Sequence, residues 1–381
     1  MVDVVERGCE AAVSRESGPG LDVVTVTRQG LEELHLTLRP LPGEDSPGIF
    51  RRFAGVLRER GAEVVSQTIL GAVAASREGI AALAGACGAV EWPVTWVEGS
   101  PCGGGGIAGI QAHAMRGVPV ETLRLDGRVV GRLFADPWAR HCLLGGLRPD
   151  DPAAPRPDQA LRLFERMEAA LSLAGMRVTD LARTWLFIDR LLSWYHEFNP
   201  VRTRFFTERG VFEGVVPAST GIEGRNPDGA AISAAAIAML PFGKEAAVVE
   251  VESPLQCSAR AYGSSFSRAV AVCLPDYQRL LVSGTASIEP GGRSAHTGDV
   301  DAQIDRTLRV VGAILESRGM SFADVSRAIA YFKRAADAPA LERHCRAHAI
   351  PALPVALTHG DVCREDLLFE IELDAVRASA A

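Results

Sequence analysis

Lysine is scarce in this sequence. Of the 40 basic residues, only Lys244 and Lys333 are lysines, and the other 38 are arginines. A site for an anion would therefore be built mainly from guanidinium groups, which hold a carboxylate through two parallel hydrogen bonds. Acidic residues outnumber basic ones and the net charge is −7. Because no nucleic-acid-binding motif accompanies this balance, we expect no nucleic-acid partner.

Long apolar runs and paired cysteines are missing as well. No stretch of about 18 uncharged apolar residues occurs, so we expect no membrane-spanning helix. The segment Met1–Ser14 lacks the basic start and apolar core of a signal peptide. The eight cysteines form no CxxC pair, a distribution typical of reduced thiols rather than of a disulfide framework. We therefore expect a cytoplasmic protein that does not contact membranes.

The sequence does contain an internal repeat. At an offset of 144 residues, 159–183 and 303–327 share eight identities, and their apolar positions coincide at helical spacing. In both copies a glycine ends the helix and an apolar strand follows. Each unit of roughly 120 residues combines strands with two helical stretches, which predicts an α+β fold with the helices on one face of each sheet.

Several separated motifs in the C-terminal two thirds of the chain resemble the RidA (YjgF) fold, and with further motifs they resemble the chorismatases more closely. The RidA-like stretches are SGTASI (283–288), HTGDVDAQIDRTL (296–308) and CREDLLFEIELDAV (363–376); the further ones are WYHEFNPVRTRFF (194–206), VPASTGI (216–222) and YGSSFSRA (262–269). The resemblance covers residues 126–376. It implies tandem RidA-like modules, 126–252 without a catalytic glutamate and 253–381 with the active site. Residues 1–125 remain an N-terminal segment that could be a degenerate module.

The chorismatase resemblance also implies a reaction. Such an enzyme removes the enolpyruvyl group of chorismate, without a cofactor, to give pyruvate and a hydroxybenzoate or a dihydroxycyclohexadiene carboxylate. The resemblance associates a cysteine at the position of Cys363 with the hydroxybenzoate-forming branch, and 3-hydroxybenzoate is the favoured product. RidA units assemble as trimers with sites between subunits, which leaves a monomer and a homotrimer open here.

Glu370 is the candidate catalytic residue. Strand alternation places Glu370 and Glu372 on one face of the last strand, with Phe369, Ile371 and Leu373 on the other. From the residues alone, a solvated sheet face remains open as the explanation for both glutamates. The resemblance favours catalysis, since the first glutamate of the EIE run is the acid in this family. The repeat aligns Glu370 with Ala234, so the first copy lacks the acid.

Chorismate is a dicarboxylate, which calls for cationic ligands. The resemblance implies Arg268 and Arg202 as substrate-binding residues, whereas Arg204, two residues further along the same helical stretch, faces elsewhere. The resemblance also assigns four other residues to the substrate pocket. These are Cys363, Phe266, Ala286 and Tyr195.

Three other interpretations of the sequence remain: a metal site, a deaminase and a non-catalytic relative. His344 and His348 are spaced i, i+4, as in a metal site, but the sequence around them offers no third ligand at a recognisable spacing, so no metal is predicted. A RidA-type enamine or imine deaminase would carry an arginine about fifteen residues before the EIE glutamate, where this chain has Val355. A non-catalytic relative that binds a metabolite is the third alternative, and the retained Glu370 and Arg268 argue against it.

Overall fold

The computed structural model describes residues 11–99 and 106–379. Within these ranges, eighteen strands form three six-stranded sheets, each with helices on one face. We refer to the three units as the N-terminal, middle and C-terminal modules. The predicted α+β class is confirmed. Two of the cysteines, Cys9 and Cys102, lie outside the described ranges. So do the first ten residues of the segment that we judged not to be a signal peptide.

The N-terminal module is a complete sheet. It contains β1 (Ala12–Gly18), β2 (Leu21–Arg28), β3 (Leu31–Leu38), α1 (Ser46–Arg60), β4 (Glu63–Gly71), α2 (Ser76–Cys87), β5 (Val94–Val97) and β6 (Ile107–Arg116). The strand order is β1-β2-β3-β6-β4-β5, with β4 and β5 parallel and the other neighbours antiparallel. Helix α1 begins after Asp45, whose carboxylate accepts from the backbone N–H of Gly48, and ends at Gly61 in the left-handed conformation.

The middle and C-terminal modules repeat this plan. The middle module contains β7 (Glu121–Leu125), β8 (Arg128–Ala135), β9 (Ala139–Leu147), α3 (Arg156–Leu173), β10 (Leu181–Ile188), α4 (Leu191–Glu208), β11 (Ala218–Glu223) and β12 (Ile232–Pro241). The C-terminal module contains β13 (Ala247–Val251), β14 (Ala269–Cys273), β15 (Tyr277–Ala286), α5 (Val300–Glu316), β16 (Val325–Phe332), α6 (Pro339–Ala347), β17 (Val355–His359) and β18 (Phe369–Ala378). Their strand orders, β7-β8-β9-β12-β10-β11 and β13-β14-β15-β18-β16-β17, match that of the N-terminal module position by position.

The sheets begin slightly earlier than the boundaries expected at residues 126 and 253. Strand β7 starts at Glu121 and pairs with β8, and β13 starts at Ala247 and pairs with β14. Both are five-residue edge strands that precede the first hairpin of their module. Because such a short strand has little periodicity of its own, the sequence assigned it to the module before.

The repeated helices α3 and α5 occupy equivalent positions in their modules. Each ends in the same way, with Gly175 at φ 67° and Gly319 at φ 66°. The N–H of the residue after each glycine, Met176 or Met320, donates to the carbonyl of Leu171 or Leu315 at 2.9 Å. Only glycine adopts this left-handed backbone without a steric penalty, which explains why the two copies share it.

The opposite faces of the three sheets pack against one another. Their shared core contains apolar side chains from all three modules, including Val65, Leu143 and Leu281. The helices cover the outer faces, and there each module has an apolar core of its own. Strand β11 of the middle module runs beside the C-terminal module, where Ala218 bridges Ser267 and the backbone N–H of Ser219 donates to Ser283 Oγ at 2.8 Å. Among the described residues, none of the helices has the length and apolarity needed to cross a membrane.

Candidate active site

A cavity of about 230 Å³ lies where the middle and C-terminal modules meet. Side chains from helix α4 and strand β11 form one wall, and the C-terminal module forms the other. The residues that line it are Tyr195, Asn199, Arg202, Ser219, Gly221, Ser264, Phe266, Arg268, Gly284, Ala286, Ile288, Cys363, Arg364 and Glu370. All seven residues that the sequence and its resemblance single out as catalytic or substrate-binding are among them.

Glu370 lies on β18, near the start of the strand. It is paired with Ala286 of β15 on one side and with Tyr331 of β16 on the other, and only 4% of it is exposed. Gly284 makes room for its carboxylate, since a Cβ at that position would lie 2.1 Å from Glu370 Oε1. Glu372 is fully buried as well. The alternative of a solvated glutamate face is therefore wrong, because the other modules cover this side of the sheet.

The strand pairing corrects the alignment of the acid with Ala234. In the C-terminal module Glu370 is opposite Tyr331, and the equivalent pair in the middle module is Ser233 opposite Phe187. The last strands are thus offset by 137 residues, one more than that alignment gave, because the alanine-rich β12 offers no distinctive side chain to fix its register. The middle module still lacks a carboxylate at this position.

Burial raises the pKa of Glu370 to about 8. The neighbouring carboxylate of Glu372 raises it further, whereas the guanidinium groups of Arg183 and Arg268 oppose the shift. Glu370 therefore keeps its proton through neutral pH. A carboxylic acid in this state can act as a general acid.

Two arginines from different modules converge on the same aromatic ring. Arg202 is 2% exposed and donates to Asn199 Oδ1 at 2.9 Å, and Arg268 is 4% exposed and donates from Nε to the carbonyl of Cys257 at 3.0 Å. The guanidinium carbons lie 5.9 Å and 5.7 Å from the centre of the Phe266 ring. Arg204 is exposed, as its position in the helix predicts.

The remaining predicted residues complete the walls. Burial, followed by the negative charge of Glu370, raises the pKa of the Cys363 thiol to about 12, so the thiol stays protonated. Ala286 is almost fully buried beside Glu370. The ring of Tyr195 stacks on Phe198 with centroids 6.0 Å apart, and its hydroxyl approaches Gly221.

A buried charge network lies directly beneath Glu370. Glu372 accepts hydrogen bonds from Arg183 and from the indole N–H of Trp185, and from Arg327 at 2.5 Å. The Thr220 hydroxyl joins it, accepting from Arg183 at 2.6 Å and lying 3.2 Å from Glu372 Oε2. The carboxylate of Glu372 is thus a fixed anion on the same strand face as Glu370.

This network continues into the N-terminal module. Arg327 donates from Nε to Gln111 Oε1 at 2.5 Å. The guanidinium group of Arg279 donates to Asp374 Oδ2 at 2.8 Å and to Glu33 Oε1 at 3.1 Å, and so connects the two carboxylates. Strand pairing makes Gln111, Ala235 and Glu372 equivalent positions of the three modules. Only the C-terminal module therefore has a carboxylate at this position. The N-terminal module has an amide side chain there, and the middle module has an alanine.

Sequence reasoning missed several lining residues. Asn199 lies one helical turn before Arg202, so helical spacing could have identified it. Arg364 follows Cys363 and donates to the carbonyl of Gly292 at 2.8 Å. Arg183 and Thr220, which bind Glu372, carry no local signal, because only the docking of two modules brings them to that strand. From the SGTASI motif (283–288), Gly284, Ala286 and Ile288 line the cavity, while the Ser283 hydroxyl donates to the carbonyl of Ser267 at 2.5 Å.

Comparison with known proteins gives the same family as the motifs. A chorismatase of Streptomyces hygroscopicus is 32% identical over 215 residues, which are 50% of this chain and 60% of that protein. A 3-hydroxybenzoate synthase of the same organism is 30% identical over 221 residues, 51% of this chain and 63% of that protein. The chain thus matches about 60% of the length of these curated relatives. No protein-family model matches it.

A crystal structure of a chorismatase has the same fold. Its TM-score is 0.63 at 22% sequence identity, and the match covers 82% of this chain and 93% of that one. The match exceeds the half of the chain that the sequence comparisons cover. The resemblance to the chorismatases inferred from the motifs is confirmed.

Proposed function

From this similarity to the chorismatases, we propose that the chain removes the enolpyruvyl group of chorismate and releases pyruvate. The observation that carries the proposal is the protonated, buried Glu370 in one cavity with Arg202 and Arg268. An acid-labile enol ether needs a proton donor, and two carboxylates need cationic partners. The cavity supplies both kinds of group.

The two arginines suit the carboxylates of a dicarboxylate substrate. Guanidinium groups bind carboxylates in a fixed, bidentate geometry, and burial strengthens the interaction. Arg202 reaches the cavity from helix α4 and Arg268 from the C-terminal module, so the substrate would bridge the two modules. Phe266, between the guanidinium groups, offers an apolar surface to the ring of the substrate.

Glu370 would start the reaction by donating its proton to the methylene carbon of the enolpyruvyl group. The ether carbon then becomes an oxocarbenium ion, next to the carboxylate that Glu370 has become and above the fixed anion of Glu372. If water captures this cation, a hemiketal forms, and breakage of the bond between the ether oxygen and the former enol carbon releases pyruvate and the dihydroxycyclohexadiene carboxylate. If the 4-hydroxyl captures it, a cyclic ketal forms. Loss of the C3 hydrogen as a proton then breaks the bond between C4 and its oxygen, that oxygen becomes the keto oxygen of pyruvate, and the ether oxygen remains on the ring as the hydroxyl of 3-hydroxybenzoate. Both negative charges favour the cationic intermediate.

Cys363 and Ala286 both line the cavity, and we propose that Cys363 directs the product towards a hydroxybenzoate, 3-hydroxybenzoate being favoured. Cys363→Ala is expected to retain pyruvate release while shifting the aromatic product towards the dihydroxycyclohexadiene carboxylate. The smaller side chain leaves room for water at the cation. Chromatography of the products measures the ratio, with Cys345→Ala, outside the cavity, as the control. An unchanged ratio would contradict this role.

Arg268→Ala is expected to raise KM for chorismate by about 10–100-fold, because a charge-assisted hydrogen bond contributes roughly 1.5–3 kcal/mol. The change in kcat should be smaller, since the substrate carboxylate is bound in the ground state and the transition state alike. Arg204→Ala, an exposed arginine on α4, is the matched control. Steady-state kinetics of pyruvate release separate the two constants. A loss confined to kcat would show that Arg268 does not bind the ground-state carboxylate.

A direct assay tests the function itself. The protein is incubated with chorismate, pyruvate is measured through a coupled dehydrogenase, and the aromatic product is identified by chromatography. We expect stoichiometric pyruvate and hydroxybenzoate. Release of ammonia from an enamine or imine, with no pyruvate from chorismate, would favour the deaminase instead. Against the deaminase, Val355 on β17 stands where that family carries its carboxylate-binding arginine.

We also propose that a single chain is the active unit. The three modules share one topology and enclose a common core, so one chain contains the arrangement that separate RidA units form as a trimer. The cavity is complete between the middle and C-terminal modules. A cytoplasmic location fits the cysteines within the described ranges, which are free thiols.

A further inference from the structure

We propose that helices α5 and α6 hold a divalent transition-metal ion, best fitted by Zn²⁺, between Asp305, His344 and His348. One potential ligand atom from each residue lies within 4.8 Å of the other two. Imidazole nitrogens and a carboxylate oxygen are the donors that Zn²⁺ takes in proteins, and three protein ligands leave a fourth position for water. The proposal is independent of the reaction, since Ile371 and Leu373 pack toward these helices while Glu370 faces the cavity.

The third ligand is supplied by tertiary structure. His344 and His348 lie one turn apart at the end of α6, and their rings stack with centroids 4.0 Å apart. Asp305 belongs to α5, which packs beside α6. A second pair of charged residues, Arg343 and Asp301, joins the same two helices at 3.2 Å. Residue spacing in the sequence does not reveal this third potential ligand, because Asp305 lies on another helix, far from the histidines along the chain.

Two contacts around the ligands would help to orient them toward a metal ion. His348 Nδ1 lies 3.0 Å from the backbone carbonyl of His344, and donation of its hydrogen there leaves the Nε2 lone pair available. Arg309 holds Asp305 Oδ2 at 2.8 Å, which orients the carboxylate.

A second group of potential ligands among the described residues does not share these features. Glu33, His35 and His113 also cluster, but they are buried at the centre of the molecule. There Arg279 donates to the same oxygen of Glu33 that both histidines approach. A metal ion would have to displace this buried guanidinium group, whereas the Arg309 side chain beside Asp305 is largely exposed. The site on α5 and α6 is at the surface, where an ion can enter and leave.

Isothermal titration of tag-free, chelator-treated protein with ZnCl₂ tests the proposal. We expect one ion per chain. Loss of an outer hydrogen-bond partner of a metal ligand weakens metal binding by about 10–100-fold. Loss of a ligand itself should weaken zinc binding more than that, as we expect for each of the variants His344→Ala, His348→Ala and Asp305→Asn. His196→Ala, an exposed histidine on α4, should bind Zn²⁺ like the wild type. Zinc should also raise the melting temperature of the wild type and of His196→Ala, because binding to the folded state stabilises it, but not that of the three site variants.

Two results would overturn the assignment. One is a wild-type chain that binds no zinc at about 100 µM. The other is a set of site variants that bind zinc as tightly as the wild type does. Circular dichroism shows whether each variant is folded, and since the three side chains lie at the surface and each is changed singly, folding failure of all three would itself contradict a role limited to metal binding. Neither result depends on chorismate turnover.

Discussion

Glu370→Gln is expected to lower kcat for pyruvate release by about 10²–10⁴-fold, equivalent to roughly 3–5 kcal/mol in the activation barrier. Glutamine has nearly the shape of the protonated acid but cannot give up a proton to the methylene carbon. Binding of chorismate should change little, because the arginines rather than Glu370 bind the carboxylates. Single-turnover kinetics and equilibrium binding of chorismate measure the two effects separately.

A Glu365→Gln variant, which changes an exposed glutamate five residues earlier in the chain, is the matched control and should keep wild-type activity.

The proposed general acid also predicts how the activity depends on pH. Since only the protonated form of Glu370 donates, kcat/KM of the wild type should fall above about pH 8, the pKa of this group. Near-wild-type pyruvate release by Glu370→Gln would show that this carboxyl is structural.

In a plot of kcat/KM against pH, the fall at high pH is the alkaline limb. We expect the variants Glu372→Gln and Arg183→Gln to move this limb in opposite directions. Removing the anion of Glu372 lowers the pKa of Glu370, so the limb moves to lower pH. Removing the cation of Arg183 raises it, so the limb moves to higher pH. The other charged or titratable groups near Glu370, namely Arg268, Arg202, Arg364, Cys363 and Tyr331, are unchanged in both variants.

Both variants should also be less stable. Each breaks a buried ion pair and leaves the other charge without its partner, which costs about 3–5 kcal/mol in the free energy of unfolding. Urea unfolding measures this loss and pH–rate profiles measure the limb. A structural role alone would destabilise both proteins without separating their limbs. If Glu372→Gln does not fold, Arg183→Lys keeps the charge and should restore the wild-type limb that Arg183→Gln shifts. Limbs that move together would contradict the electrostatic role.

Much of the C-terminal half could be predicted because its signals are local. Helical spacing defined α3 and α5, and the matched glycines marked their ends, since a left-handed residue is needed there whatever the surroundings. Strand alternation placed Glu370 and Glu372 on one face, because successive side chains of a strand point to opposite sides whatever surrounds them. The motifs indicated the resemblance to the chorismatases, and that resemblance named seven of the residues that line the cavity.

The sequence by itself determined the repeated α+β unit, the side of the strand on which the two glutamates lie and the cationic chemistry of the site. The tertiary structure alone decided that the described residues before 121 form a third sheet of equal topology, that Glu370 is buried and that Glu372 binds Arg183. It also brought Asp305 to the two histidines of α6. The physical reason is that periodicity records what neighbouring residues in the chain share, whereas burial, strand register between distant segments and the convergence of charges depend on how the modules dock.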